Sequence, residues 1–520
     1  DTIAIPSGAT FTNSGTTSTI TISGALSVDG GTIKLDGNYP TGTDNVAMGN
    51  TALDSIQSGG TCNTAIGDAA GTAITTGDDN TLIGNHAGTA ITTAGQNVAI
   101  GSRALDADTT GLGNVAIGRD ALGRNIDGNS NTGIGQQTLS FNTTADNNTA
   151  VGAYAMQTNS TGTNNVAMGY DALSSNTTAS NNTAIGNNAL DANTTADDNT
   201  AFGKSALGAN TTGPFNTAVG KDALLANTTG CLNTAVGKAA LCRNTTGCTN
   251  TAIGRDAMLA NTTGDHNVAV GHEALDSNTT ANDNTAIGSA SLATNTTGSQ
   301  LTAIGKDSLK DNTTGYQNTA VGFQSSCSNT DGFNNVAMGP YALKTNTTGD
   351  CNVAIGNEAL TNSTTASTNT AVGSYALRAN TTGSSNVSVG DSSLDANTTG
   401  TNNVSVGRSS MGANTTGGDN TSIGQGTLGV NTTGGCNTAM GATALDANTT
   451  GSCIVAIGLN TLGANTTGPN NTAIGAAALC ANTEGNTNTA VGRLAAKAVT
   501  TGDNNVAIGN EAMSDLTTGN

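Results

Sequence analysis

The sequence predicts an all-β chain, a parallel β-solenoid or β-roll of 28 coils with a 17-residue period. Three observations predict it. A glycine preceded by a short β-branched run returns at 17-residue intervals from Gly67 to Gly509, and Gly49 stands one residue out of step. No insertion or deletion interrupts that run, whereas a solvent loop tolerates length drift. The composition is also wrong for a large compact core: 71 of 520 residues are Gly, aromatics are 2%, Trp is absent, and charged residues are 10%, against about 25% in an ordinary soluble chain. Disordered segments are rich in charge and Pro, and this chain has neither.

Two regions follow. Residues 1–44 precede the repeat and are expected to form a β-rich connector or cap, while 45–520 form the array. Residues 216–232 are a clean copy of the circuit, Asn216-Thr217-Ala218-Val219-Gly220-Lys221-Asp222-Ala223-Leu224-Leu225-Ala226-Asn227-Thr228-Thr229-Gly230-Cys231-Leu232. The residue before the first glycine is Ile, Val, Met or Phe in all 28 copies, and two positions earlier it is Thr or Val. That alternation predicts a half-buried strand, with the β-branched face inward. The expected core residues are therefore Ile66, Ile100, Ile117, Val219, Ile253, Ile287, Ile355 and Ile474. On this assignment Ile287→Asp buries an unpaired charge and costs several kcal/mol. A helix is excluded because Asn, Thr and Gly are too frequent.

After the glycine comes a polar pair such as Arg119-Asp120, Lys221-Asp222, Arg255-Asp256 or Lys306-Asp307, which predicts a solvent-facing corner. Leu or Met follows four residues after the glycine, as in Leu105, Leu207, Met258 and Leu445. Three residues further stands an Asn, in 21 copies from Asn125 to Asn482. The same position holds Ile56, Ile74 and Ile91 at the start and Val499 and Leu516 at the end, so it reads as inward-facing. Asn125, Asn142, Asn210, Asn227, Asn244, Asn261, Asn312 and Asn448 are expected to stack as an internal ladder, each amide bonding to the coils above and below. A second Asn, four residues before the glycine, is replaced only at Leu301 and Ile454 and predicts a similar role at the strand start. The circuit has room for two short strands and two turns, with the glycines at the turns.

The net charge of −20 repels phosphate backbones, which argues against nucleic acid as a partner. No run of 18 apolar residues offers a membrane span. The chain opens on Asp1 without a basic segment leading into an apolar one, so no signal peptide is expected and processing or a longer parent chain is. Solenoids need capped ends, so chain beyond Asn520 is expected as well.

Nothing in the pattern points to catalysis, a cofactor or a metal. His86, His266 and His272 fall at turns, with no recurring carboxylate pair or nucleophile–base set. Asp78-Asp79 and Asp197-Asp198 recur too irregularly for a repeated Ca²⁺ site and read as solvated charge. Among nine cysteines, Cys231 and Cys248 are one period apart, as are Cys436 and Cys453. Each pair stacks on adjacent coils within disulfide reach, and both the thiol and the bridged state are open. The Asn-Thr-Thr triplets match the glycosylation acceptor pattern, but an inward Asn leaves a glycan no room.

The strands Asn97-Val98-Ala99-Ile100-Gly101 and Asn352-Val353-Ala354-Ile355-Gly356 resemble the head repeats of trimeric autotransporter adhesins, and the likeness extends over 45–520. It implies a left-handed parallel β-roll and a homotrimer; the coil here is longer than is typical of those heads. A coil buries few large side chains, so wrapping identical chains around one axis is independently expected to add apolar burial. Ile5-Pro6-Ser7-Gly8-Ala9-Thr10-Phe11-Thr12-Asn13-Ser14-Gly15-Thr16 and Gly31-Thr32-Ile33-Lys34-Leu35-Asp36-Gly37-Asn38-Tyr39-Pro40 look like segments of tail-fibre and appendage proteins of marine tailed phages, cyanophages included. That resemblance implies a structural virion fibre, a non-enzymatic rod at the virion surface. Its implied partners are itself, other tail proteins, and a host receptor met through a tip. Two alternatives stand beside it: a bacterial or extracellular surface adhesin, and an ice-binding solenoid displaying Thr-Thr rows such as Thr211-Thr212 and Thr228-Thr229.

Overall fold

The structure is a computed structural model, and it describes residues 42–519. The connector expected over 1–44 lies almost wholly outside them. Twenty-eight strands of three residues each run from β1 (Val46–Met48) to β28 (Val506–Ile508), one per coil, and no helix occurs among the described residues. Every strand pairs in parallel with its sequence neighbours. Thus β13 (Thr251–Ile253) meets β14 (Val268–Val270) with Thr251 opposite Val268 and Ile253 opposite Val270. β14 meets β15 (Thr285–Ile287) in the same register. The chain is a parallel β-solenoid, its 17-residue circuits stacked with equivalent side chains in file.

The strand faces are the reverse of the expectation. The central residue of each strand points inward: Ala218, Ala252, Ala269 and Ala286 are fully buried. The residues on either side point out. Ile253, Ile287, Ile355 and Ile474 are 38–40% exposed, and Ile66, Ile100, Ile117 and Val219 are half-buried on the same outer face. None of the eight is a core residue. The cause is the narrow bore of the coil. Ala on the strand faces an Ala-Leu pair from the returning chain, such as Ala223 and Leu224, both fully buried. A β-branched side chain in the strand's centre would compete with Leu for that space.

One strand per coil, rather than two, follows from the backbone of the other half. Asp222, Leu224 and Leu232 sit at φ of 59°, 50° and 58°, and equivalent non-glycine residues repeat this in nearly every coil. Left-handed conformations of this kind are uncommon outside glycine. Here they turn N–H groups along the stack: Leu224 N donates to Ala240 O at 3.0 Å and Asp222 N to Lys204 O at 3.0 Å. The glycine after the strand is more demanding. Gly220 has φ +132°, and a Cβ there would lie 2.5 Å from Gly237 O, so a column of glycines is required. The longer first interval, from Gly49 to Gly67, is absorbed by a turn in which Gly60 N donates to Gln57 O at 3.0 Å.

Candidate functional site

Two asparagine ladders run inside the rod and converge on one carbonyl per coil. Asn244 Nδ2 donates to Asn227 Oδ1 of the preceding coil at 2.8 Å and to Gly247 O at 2.9 Å. Asn233, at the strand start, donates through Nδ2 to the same Gly247 O at 2.8 Å. Its backbone N donates to Asn216 Oδ1 at 3.0 Å. The predicted ladder residues Asn125, Asn142, Asn210, Asn227, Asn244, Asn261, Asn312 and Asn448 are all fully buried and all take part. A glycan at these positions has no space. A third file is formed by the first Thr of each pair: Thr228 Oγ1 donates to Thr245 O at 3.0 Å. The second, Thr229, is exposed, so only half of each Thr-Thr row has a free hydroxyl to display.

The two Asn ladders differ in what they tolerate. In the strand-start ladder the acceptor Oδ1 is met by a backbone N–H, which any residue supplies. Leu301 N donates to Asn284 Oδ1 and Ile454 N to Asn437 Oδ1, each at 3.0 Å, so both substitutions keep the bond to the preceding coil while taking away the Oδ1 acceptor that Asn318 N and Asn471 N would meet. In the other ladder the donor is the next side chain. Where that chain is not Asn, polar atoms are stranded. Asn346 Oδ1 and Ser363 Oγ are buried without a partner where Ser363 interrupts the file, and so is Asn482 Oδ1 below Val499. The ladder begins at Asp108, fully buried, whose Oδ1 accepts from Asn125 Nδ2 at 3.0 Å and from Gly111 N at 3.1 Å. Its Oδ2 has no partner, and burial pushes its carboxyl up to about 7. Sequence reasoning passed over Asp108 and Ser363; the signal was their departure from Asn in a column already read as inward.

The corner before the strand carries a fourth file. Asp265 Oδ1 accepts from Cys248 N at 2.7 Å, and Asp78 Oδ1 from Thr61 N at 2.7 Å. Asp197 does the same for Ser180 N at 2.7 Å. These acids tie coil to coil, and among the described residues no group of three His, Cys, Asp or Glu gathers as metal ligands. Cys248 itself occupies the acceptor slot for Cys231 N, at 3.0 Å, with the two Sγ atoms 2.7 Å apart. All nine cysteines are free thiols here. The hydrogen bond to Cys248 is the first cause raising the Cys231 thiol to about 11. Cys436 is also raised, by desolvation first and then by Cys453 beside it. The sequence-predicted pairs therefore do stack. His86 and His266 stand exposed at separate turns, and His272 lies against Arg255 and 3.4 Å from Glu273.

The outer surface divides into a polar corner and an apolar strand face. At the corner, neighbouring residues pair: Lys221 with Asp222 at 3.0 Å and Arg255 with Asp256 at 2.9 Å. Arg124 lies 4.0 Å over the Phe141 ring, and Tyr316 stacks on Phe333 one coil on, with centroids 5.0 Å apart. On the strand face the first outward column is Thr or Val, and the second is Ile, Val, Met or, once, Phe202. That face is the one the sequence placed in the core, and it runs the length of the rod.

These features define a repeat protein, a rigid β-solenoid whose coils are tied to one another by files of asparagine and threonine side chains. In comparisons with known proteins, no family model matches the chain and no curated protein aligns with it significantly.

Proposed function

We propose that this chain is the shaft of a virion fibre, a tail fibre or similar phage appendage, which holds a receptor-binding tip away from the particle. One observation carries the reading. All 28 strands lie in unbroken parallel register, and at about 4.7–4.9 Å per strand they make a rod on the order of 130 Å long. Four files of side-chain hydrogen bonds run along that axis, so bending or stretching it breaks many bonds together. The role is mechanical rather than catalytic, and its partners are copies of itself, other tail proteins, and a host receptor at the tip. The phage assignment rests on the resemblance of residues 1–44 and of the array.

Gold-labelled antibody against the array, imaged on native particles, tests this. Label along virion appendages supports the proposal. Label on cell surfaces or on free filaments overturns the phage assignment in favour of an adhesin or extracellular fibre.

A further inference from the structure

We propose that the outward strand face is a seam along which a second copy of this chain packs, rod beside rod. The inference deepens the shaft reading and rests on it for its setting; the seam itself is argued from the strand face.

Each of the 28 strands turns two residues outward. In the first column 17 are Thr and 11 are Val; in the second 14 are Ile, 9 Val, 4 Met and one Phe. No outward strand position carries a charge, in a chain of net charge −20. The larger side chains are well exposed, Phe202 at 54%, Met168 at 43% and Ile253 at 40%. Strand propensity alone does not require this, because Thr serves as well as Ile on a solvated face.

A three-residue strand is about 10 Å wide and the stack about 130 Å long, so the face covers roughly 1,300 Å². A stable pairwise interface takes about 800 Å² from each partner. The seam is therefore long enough to hold two rods even if only part of it engages.

The occupant is argued from the repeat. Rows of β-branched side chains rise at every strand spacing, and a surface with the same axial repeat is this face on another copy. Two such sheets can interdigitate dry along their length, about 10 Å apart. Lys204, Lys221, Arg255 and Lys306 at the adjoining corner are exposed and give the polar rim that surrounds interface cores. An anionic membrane or nucleic acid fits poorly, since the face offers no Lys or Arg to an acidic chain's partner.

Sedimentation equilibrium of the full chain at micromolar concentration reads this directly. The expected mass is at least twice the 50.7 kDa of one chain. The triple variant Ile253→Lys, Val270→Lys, Ile287→Lys is expected to lower the associated fraction at least tenfold and to leave the β circular-dichroism spectrum intact. Leu232→Lys with Leu459→Lys, exposed off the strand face at 56% and 60%, should leave the mass unchanged. Should the lysine variant not fold, Ile253→Thr with Ile287→Thr keeps strand propensity and is expected to weaken association in the same direction. A monomeric wild type, or a strand-face variant that folds and associates like wild type, overturns the proposal. A monomer with thermal hysteresis would overturn it in favour of the ice-binding reading. In either case a single rod of the same length in micrographs would leave the shaft reading standing.

Discussion

Ala286 and Ile287 are chain neighbours with opposite fates, one fully buried and the other 39% exposed. Ala286→Asp puts an unpaired carboxylate against the Leu column and is expected to lower stability by several kcal/mol, read as a lost or sharply lowered melting transition. Ile287→Asp, which the sequence alone ranked as the damaging change, should leave the melting of the unassociated chain nearly unchanged and act on association. Asp108 gives a pH-dependent counterpart. Its carboxyl ionises near 3.8 when exposed and is raised to about 7 by burial. The protonated form is therefore favoured by folding, so its contribution is complete below about pH 4 and is lost as pH rises through 7. Asp108→Asn extends the ladder by one amide and removes the ionisable group. Hydrogen exchange in the coils around Asn125 should be slower than in wild type at pH 8, with little difference at pH 4.

At the scale of the coil, stability is a file of bonds and not a local cluster. The 17-residue circuit returns each donor to its acceptor one coil away, which makes the coil the unit that can be removed. Deleting residues 217–233 joins Asn216 to Thr234 and restores the repeat. The expected product is a folded rod one strand spacing shorter, with nearly unchanged melting. Deleting Val219 alone brings Ala218 next to Gly220, moves a strand by one residue and turns its outer column inward, so the same measurement should show local unfolding. The interrupted ladder offers the opposite test. Ser363→Asn supplies a donor to Asn346 Oδ1 and an acceptor to Asn380, and removing such stranded groups is worth about 1–3 kcal/mol. Slower exchange across coils 346–380 is expected. Asn227→Ala, which strands Asn210 Oδ1 and leaves the Asn244 amide without Asn227 Oδ1, should cost a similar amount.

Across the whole molecule the acids add up. Asp106, Asp276, Asp395 and Asp446 are each raised from 3.8, with burial the first cause, and each therefore adds stability at low pH that is lost on ionisation. The net charge of −20 pushes in the same direction, because self-repulsion eases as carboxylates protonate. A melting series is expected to rise as pH falls through 7, where Asp108 takes up its proton, and to keep rising as the other raised acids protonate at lower pH, the reverse of a protein held by salt-bridged carboxylates. The surface ion pairs do not offset this, since partners such as Lys221 and Arg255 are more than half exposed and such pairs contribute little.

The spacing of glycines by itself determined the parallel stack, its register and its length. The Asn column, with Ile and Val at its ends, was legible as inward because aliphatic residues share its position. The phase of the strand was not legible. A three-residue Thr-Ala-Ile strand is apolar on both faces, so period-two alternation names two faces without saying which is inside. The space left by Leu on the returning chain decides it, and that space exists only once the coil has closed. The left-handed residues escaped for the same reason: Leu224 has no local preference for positive φ, and it adopts it because the next coil holds its N–H group along the axis.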